Sequence, residues 1–453
     1  MPIAGKIGSQ KHLIAIRDGF ISIMPITMVG SIAVLLNVFF RDLPNNWLGE
    51  GNSVVAALEP LISINGNVYF GSIMILGLAF TFSLGYHLAK TYNVNPIAGA
   101  VIAFSAVITC ANPNAVFNYV LPGVGEDALP VLQGMGLDVI VKDGAVALQN
   151  VAEYGFLGQA YTASGGLFTC LIVGFLASMI YIKLMQKKVT IKLPDSVPPA
   201  VSNAFAAIIP GVAAIYVFGI LTQVCVAFTG LYPNDIIVKW VQEPLMGLSQ
   251  GLFSVILVMF LMQLFWFFGL HGDNILAPIT EGIYQTALLQ NLEIWNRTHS
   301  IADMPYLWTR GSLNAYAMMG GSGVTLALIL AIFIFSKRED SRAIAKLTAP
   351  MGVFNINEPV IFGIPIVLNP VYMIPWLIVP PVCSAIAYGF TAAGIIPPVF
   401  LQVPWVMPVG LNAFFATGGS VAAALVSILC LVVAVVIWTP FVLLANRMAD
   451  KKE

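Results

Sequence analysis

Asn355-Ile-Asn-Glu-Pro359 sets a carboxylate, Glu358, between two asparagines and a proline, inside the otherwise apolar stretch from Gly352 to Pro370. Val353-Phe354 precede it and Val360-Ile-Phe-Gly-Ile364 follow, in a chain that elsewhere keeps charge out of its apolar runs. A carboxylate in apolar surroundings is costly, so it has a partner or a job. Pro359 offers no backbone N–H and turns Glu358 away from helical dihedrals, while Gly352 and Gly363 loosen the backbone on either side. The pattern predicts a broken or re-entrant segment that presents a carboxylate and amides to a cavity, because irregular backbone at membrane depth survives only where protein covers it or water fills the space. The competing reading is an ordinary surface turn, for which Asn and Pro are common markers.

Composition fixes the class. Hydrophobic residues make up 58% and charged residues 9% of 453 residues, whereas soluble domains carry about 25% charged residues. The chain reads as a polytopic membrane protein, all-α, and its net charge of −1 leaves no basic field for nucleic acid. Cys110, Cys170, Cys225, Cys383 and Cys430 show no Cys-x-x-Cys spacing and no histidine at ligand distance. They read as small packing residues, and neither a metal nor a cofactor is expected. Lys6, Lys11 and Arg17 precede the run Phe20 to Phe40, which is long and lacks a cleavage site, so it reads as the first membrane helix.

Nine runs reach the length of about 20 residues that a crossing needs: 18–40, 69–90, 96–120, 163–184, 204–231, 247–270, 313–336, 371–393 and 418–445. Basic clusters at Lys6/Lys11/Arg17, Lys90, Lys183 to Lys192, Lys337 to Lys346 and Arg447/Lys451/Lys452 place both termini in the cytoplasm. Acidic residues Glu126, Asp127, Asp138 and Asp143 crowd the segment after the third run. Parity then requires one more crossing between 271 and 312, and Ile275 to Leu292, interrupted by Glu281, supplies it as a polar-lined helix. About ten transmembrane helices are expected, with two re-entrant hairpins, at Pro350 to Pro370 and Pro397 to Gly419. Pro233 to Pro244 alternates charged and apolar residues as an interfacial helix does. This divides the chain into an N-terminal membrane domain at 1–232, a connector at 233–246 and a C-terminal domain at 247–453.

A second polar intrusion, Phe267-Phe-Gly-Leu-His271-Gly-Asp-Asn274, ends the sixth run. Gly269 and Gly272 let the backbone unwind around His271, and Asp273 and Asn274 suit a helix start. A lone histidine at a helix end is also an ordinary cap; its pairing with a second broken segment carrying Glu358 favours a site. Trp405, in Val403-Pro-Trp-Val-Met-Pro408, offers an aromatic face for a pyranose, while Asn, Glu and His bond hydroxyls. An interfacial belt position explains Trp405 equally well. Met319-Gly-Gly-Ser-Gly-Val324 could cradle an anion, but it lacks the lysine of a nucleotide loop.

Ile16-Arg-Asp-Gly-Phe20 with Met24-Pro-Ile-Thr27, Lys192-Leu-Pro-Asp-Ser-Val-Pro-Pro199, Phe267-Phe-Gly-Leu-His-Gly272, Gly320-Gly-Ser-Gly-Val-Thr325 and Asn357-Glu-Pro359 stand in the same order as in a known family. The chain resembles, over nearly its whole length, the membrane subunit (enzyme IIC) of the bacterial phosphoenolpyruvate:sugar phosphotransferase system, in its lactose, cellobiose and diacetylchitobiose group. The resemblance implies a homodimer in the plasma membrane, with the N-terminal half at the dimer interface and the sugar held in the C-terminal half. It also implies phosphate delivery from a phosphocysteine on a separate enzyme IIB, itself served by enzyme IIA. His271 and Glu358 are the residues it places beside the hydroxyl to be phosphorylated. Gly272, Asn274, Asn355, Asn357 and Trp405 complete the expected sugar site. Leu157 to Gly166 is more polar than that family leads one to expect and is left without a role.

Beside a non-catalytic membrane scaffold or receptor, two transport functions remain open to the residues themselves. The first is vectorial phosphorylation of a sugar, which the resemblance alone makes a β-linked disaccharide, cellobiose or diacetylchitobiose, with Glu358 or His271 as the base. The alternative is a proton-coupled secondary sugar transporter in which Glu358 titrates.

Overall fold

The computed structural model describes residues 10–450 apart from 143, 144, 195 and 365; Lys6, Asp143, Asp195, Lys451 and Lys452 therefore lie outside the described residues. Helix α1 (Lys11–Asn37) carries Pro25 without ending there. Helices α2 (Ser53–Phe70) and α3 (Leu76–Thr91) form one helical stretch of 39 residues, much longer than the run read from 69 to 90. Helix α4 (Pro96–Thr109) starts on Asn95, whose side chain accepts from the Ile97 and Ala98 amides.

The third run does not continue to 120. Asn112 folds back to accept from the Asn114 amide, Pro113 removes a donor, and the chain leaves α4 as strand β1 (Asn114–Val120). With β2 (Val139–Lys142) and β3 (Ala145–Tyr154) it forms an antiparallel sheet in the order β1-β3-β2, with Asn114 opposite Tyr154 and Val139 opposite Leu148. This sheet is an addition to the expected all-α fold, which otherwise holds.

Helices α5 (Leu167–Gln186) and α6 (Ile208–Thr229) follow, and α6 stops at Gly230, which takes the left-handed conformation a helix end favours. Helix α7 (Pro233–Ser249) meets α8 (Leu252–Phe267) at a bend of 79°. Trp240 and Leu248 lie exposed on α7. After α8 the chain breaks and restarts as α9 (Gly272–Ile279), then passes through a π-helical turn at Thr280–Tyr284 into α10 (Gln285–Thr298).

Another π-helical turn, Leu313–Ala317, precedes the glycine run and helix α11 (Thr325–Phe335). Arg342 donates to the Ser336 and Phe333 carbonyls and so closes the C-terminal end of α11. Helix α12 (Glu339–Val353) and the short α13 (Glu358–Gly363) flank the Asn355 to Asn357 break; α14 (Pro370–Ala392), α15 (Leu411–Ala416) and α16 (Val421–Asp450) complete the chain.

Among the described residues seven helices are long and apolar enough to cross a membrane, or eight if the bent α7–α8 pair is one span. The protein is thus a multi-pass membrane protein. The expected ten crossings require α4, a shorter apolar helix, and the interrupted α9–α10 run to cross as well.

The buried core joins both halves of the chain. It includes Phe80 and Tyr181 from the N-terminal half and Trp308, Trp376, Phe400 and Trp438 from the C-terminal half. Polar bridges cross between the halves too. Glu293 on α10 accepts from Gln159 at 2.9 Å and from Ser164 at 2.7 Å, which gives the polar Leu157 to Gly166 stretch its role.

Candidate functional site

Three interruptions of regular backbone converge on one cavity. The first is the end of α8, where α9 packs back so tightly that a Cβ on Gly272 would stand 2.1 Å from the Met262 carbonyl oxygen. Only glycine fits that approach. His271 then sits at the N-cap of α9, where its Nδ1 accepts from the Asn274 amide at 3.4 Å and its ring lies 4.4 Å from that of Trp266. A ring nitrogen that accepts cannot carry the proton, so neutral His271 keeps its proton on Nε2 and offers that nitrogen as a donor.

The second interruption is Asn355 to Asn357. Asn355 adopts a left-handed φ of 63°, which asparagine tolerates better than most residues. Its side chain is fully engaged: Oδ1 accepts from the Gly320 amide at 2.7 Å, and Nδ2 donates to the Trp405 and Met407 carbonyls. Asn357 donates to the Ser322 carbonyl at 3.3 Å. These two asparagines therefore position the site's walls as well as lining it. Glu358, by contrast, stands in the first turn of α13 with an exposed side chain, and among the described residues it has no ion pair or side-chain hydrogen bond. Its carboxylate is open to a ligand.

The third interruption runs from Pro397 to Gly410. Its backbone is satisfied from outside, since Phe400 and Leu401 donate to the Ala416 carbonyl and Val399 accepts from Thr309 at 3.1 Å. Irregular backbone is sheltered in this way throughout the site. The glycine run is tied in similarly. Gly320 and Gly321 donate to Asn355 and Met318, and Trp438 donates to the Gly323 carbonyl, so these groups of the run support the site's walls.

Together these segments enclose a cavity of about 290 Å³ lined by His271, Asn274, Asn355, Asn357, Glu358 and Trp405. Gly272 is buried behind it and does not line it; its contribution is the close packing that places His271. Several lining residues were not anticipated. Helix α1 contributes Arg17, Ile21 and Met24, and Arg310, Asp273, Glu281 and Asn314 form a charged wall.

Arg310 donates to Glu281 at 2.8 Å and to Asn314 at 3.0 Å, with Asp273 at 3.8 Å. Glu281 and Asn314 both ride on π-helical turns, a geometry frequent at functional sites. A smaller cavity of about 190 Å³ adjoins the first and shares Ile21, Met24, Glu281, Arg310, Asn314 and Trp405 with it. An aromatic face, an open carboxylate, an imidazole ring and a charged polar wall make the arrangement suited to a neutral polyhydroxylated ring.

The family model for the phosphotransferase system EIIC matches residues 17–380. The chain belongs to that family.

Among its relatives, the cellobiose-specific EIIC component of Lactococcus lactis subsp. lactis is 37% identical, with 99% of this chain and 97% of the relative covered. The oligo-beta-mannoside-specific EIIC component of Bacillus subtilis is 31% identical over 100% of this chain and 94% of that one. The crystal structure of ChbC, the IIC component from the N,N'-diacetylchitobiose-specific phosphotransferase system, superposes with a TM-score of 0.85 at 27% identity, covering 100% of this chain and 98% of that one. Family membership also sets aside the proton-coupled carrier in favour of an EIIC chain.

Proposed function

We propose that this EIIC chain takes up a β-linked disaccharide, cellobiose or diacetylchitobiose, and presents its 6-hydroxyl to the phosphocysteine of enzyme IIB, which enzyme IIA recharges. The open Glu358 carboxylate in the cavity carries this reading. The hydroxyl oxygen attacks phosphorus, the S–P bond breaks, the thiolate leaves on enzyme IIB, and the hydroxyl proton passes to Glu358. His271, holding its proton on Nε2, donates to a sugar oxygen and orients the ring, so Glu358 is the base of the pair. Trp405 stacks on a pyranose face, and Asn274 bonds a hydroxyl.

The wider assembly belongs to the same proposal. The protein works as a homodimer in the bacterial plasma membrane with both termini cytoplasmic, residues 1–232 forming the dimer-facing half, 233–246 the connector and 247–453 the transport half. The basic clusters flanking the spans and the sharp α7–α8 bend support this division.

Proteoliposomes test the function. Labelled cellobiose should accumulate as its 6-phosphate only when phosphorylated enzyme IIB is enclosed, and a pH gradient alone should concentrate none. Accumulation driven by the pH gradient without enzyme IIB contradicts the proposal.

A further inference from the structure

In the lining of the smaller cavity, Gln285 donates through Nε2 to Gln402 Oε1 at 2.9 Å. Gln285 is only 8% exposed, and its own Oε1 is buried with no hydrogen-bond partner among the described residues. A buried amide oxygen left without a donor is unfavourable, and it is tolerated where a ligand completes it.

The surroundings fit a sugar hydroxyl. The chamber is mainly apolar on its α1 side, through Phe20, Ile23 and Met28, and polar where Gln285, Gln402 and Arg310 face it. It also lies further along α1 than the first cavity. The deepest α1 residue lining the first cavity is Met24, whereas the second extends to Met28, about one helical turn on. A ring held against Glu358 and His271 in the first chamber therefore has room for a linked second ring past Trp405.

Nothing about the phosphoryl chemistry calls for this amide pair, because that chemistry is confined to the first ring. We propose that the Gln285–Gln402 pair is the specificity-determining site for the second ring, its unpaired amide oxygen accepting from a hydroxyl of that ring. This inference rests on the sugar-transport reading above and adds which residues choose among disaccharides. The pair holds Gln285 in a fixed orientation: Gln402 takes one of its donors and leaves the acceptor directed by the bond. A ligand lacking a second ring makes no use of the acceptor. A ligand whose second ring presents no donor there leaves it unsatisfied and is disfavoured, as buried polar sites reject analogues that lack a matching group.

The test uses the full chain purified in detergent and two probes, cellobiose and methyl β-glucoside, with the glucoside measured by competition against labelled cellobiose. Gln285→Leu keeps approximate size and removes the amide. It should weaken cellobiose binding by about tenfold, the scale of one buried hydrogen bond, and leave the glucoside's inhibition constant unchanged. Gln402→Leu should give a smaller loss of the same selective kind, and the double variant should lose less than the two losses combined, because the residues act as a unit. A thermal melt of each variant checks folding, and Gln285→Asn, which keeps an amide but withdraws it by one methylene, serves as the second variant should the leucine protein fail to fold; it too should lose cellobiose selectively. Unchanged cellobiose affinity in a folded variant, or equal loss for both probes, overturns the inference while leaving the transport reading intact. A wild-type protein that binds neither sugar overturns the transport reading, and this inference with it.

Discussion

The Asn355 amide nitrogen lies 2.6 Å from the Trp405 carbonyl oxygen, so the segment that carries Glu358 and the segment that carries the aromatic face are joined by one side chain. The same amide reaches Met407 and, through its oxygen, the glycine run before α11. Three irregular stretches thus share one residue. Removing it should cost more than one contact. Asn355→Ala leaves buried partners unsatisfied, at about 1–3 kcal/mol for such groups, and places a Cβ residue without a polar side chain at positive φ. Asn355→Gly removes the clamp but tolerates the backbone conformation. Both variants should melt earlier than wild type and bind cellobiose more weakly, with alanine the worse of the two in a thermal melt; wild-type behaviour from the alanine variant would contradict the clamp.

Trp405 stands half exposed on the wall shared by the two cavities. If it stacks on a pyranose, Trp405→Ala should weaken cellobiose binding by roughly 1–2 kcal/mol, the scale of a lost desolvated aromatic contact. Trp405→Phe should recover part of the loss. Titration calorimetry reads both, and an unchanged dissociation constant returns Trp405 to the role of a membrane-interface residue.

The Arg310–Glu281 ion pair is largely buried, with side-chain exposures of 15% and 25%. Breaking such a pair from one side costs about 3–5 kcal/mol because a charge is left without its partner. Arg310→Met should therefore sharply lower the yield of folded protein or its melting temperature. The double variant Arg310→Met with Glu281→Gln should recover much of that loss, a non-additivity that only a direct coupling produces. Additive losses in the melts would show that the two charges act separately.

Gly272→Ala should not be tolerated, since the added carbon meets the backbone oxygen of Met262, which cannot step aside as a side chain can. Helix α9 would have to shift and carry His271 with it. Gly282→Ala, in the same helical run, meets nothing within 4 Å and serves as the control. The expected result is loss of folded protein or of phosphorylation for the first variant and near-normal behaviour for the second.

His271 and Glu358 were legible because glycine and proline break the apolar runs on which they stand, and a break at membrane depth needs a reason. Arg310 was not. In Leu307-Trp-Thr-Arg-Gly311 it reads as a flanking charge before a span, and its partner Glu281 is 29 residues away on a turn whose π geometry has no clear mark in the sequence. The contributions of Ile21 and Met24 were hidden likewise, because the apolar run that follows Asp18 does not reveal which face meets a cavity and which meets lipid. The sheet was lost for a different reason: Ala115-Val-Phe-Asn-Tyr-Val120 is apolar enough to prolong the preceding run, although Asn112-Pro113 had already ended the helix. Asn355 was read as a sugar ligand because its type fits one, and only the packed structure shows its amide already engaged.

Glu358→Gln tests the central claim most directly, since it keeps size and most hydrogen bonding while removing the charge and the proton-accepting lone pair. Enzyme IIB-dependent phosphorylation of cellobiose should fall by about 10²-fold or more, the usual share of general-base catalysis, while cellobiose affinity changes by less than about tenfold. Full phosphorylation by the Glu358→Gln protein would contradict the account.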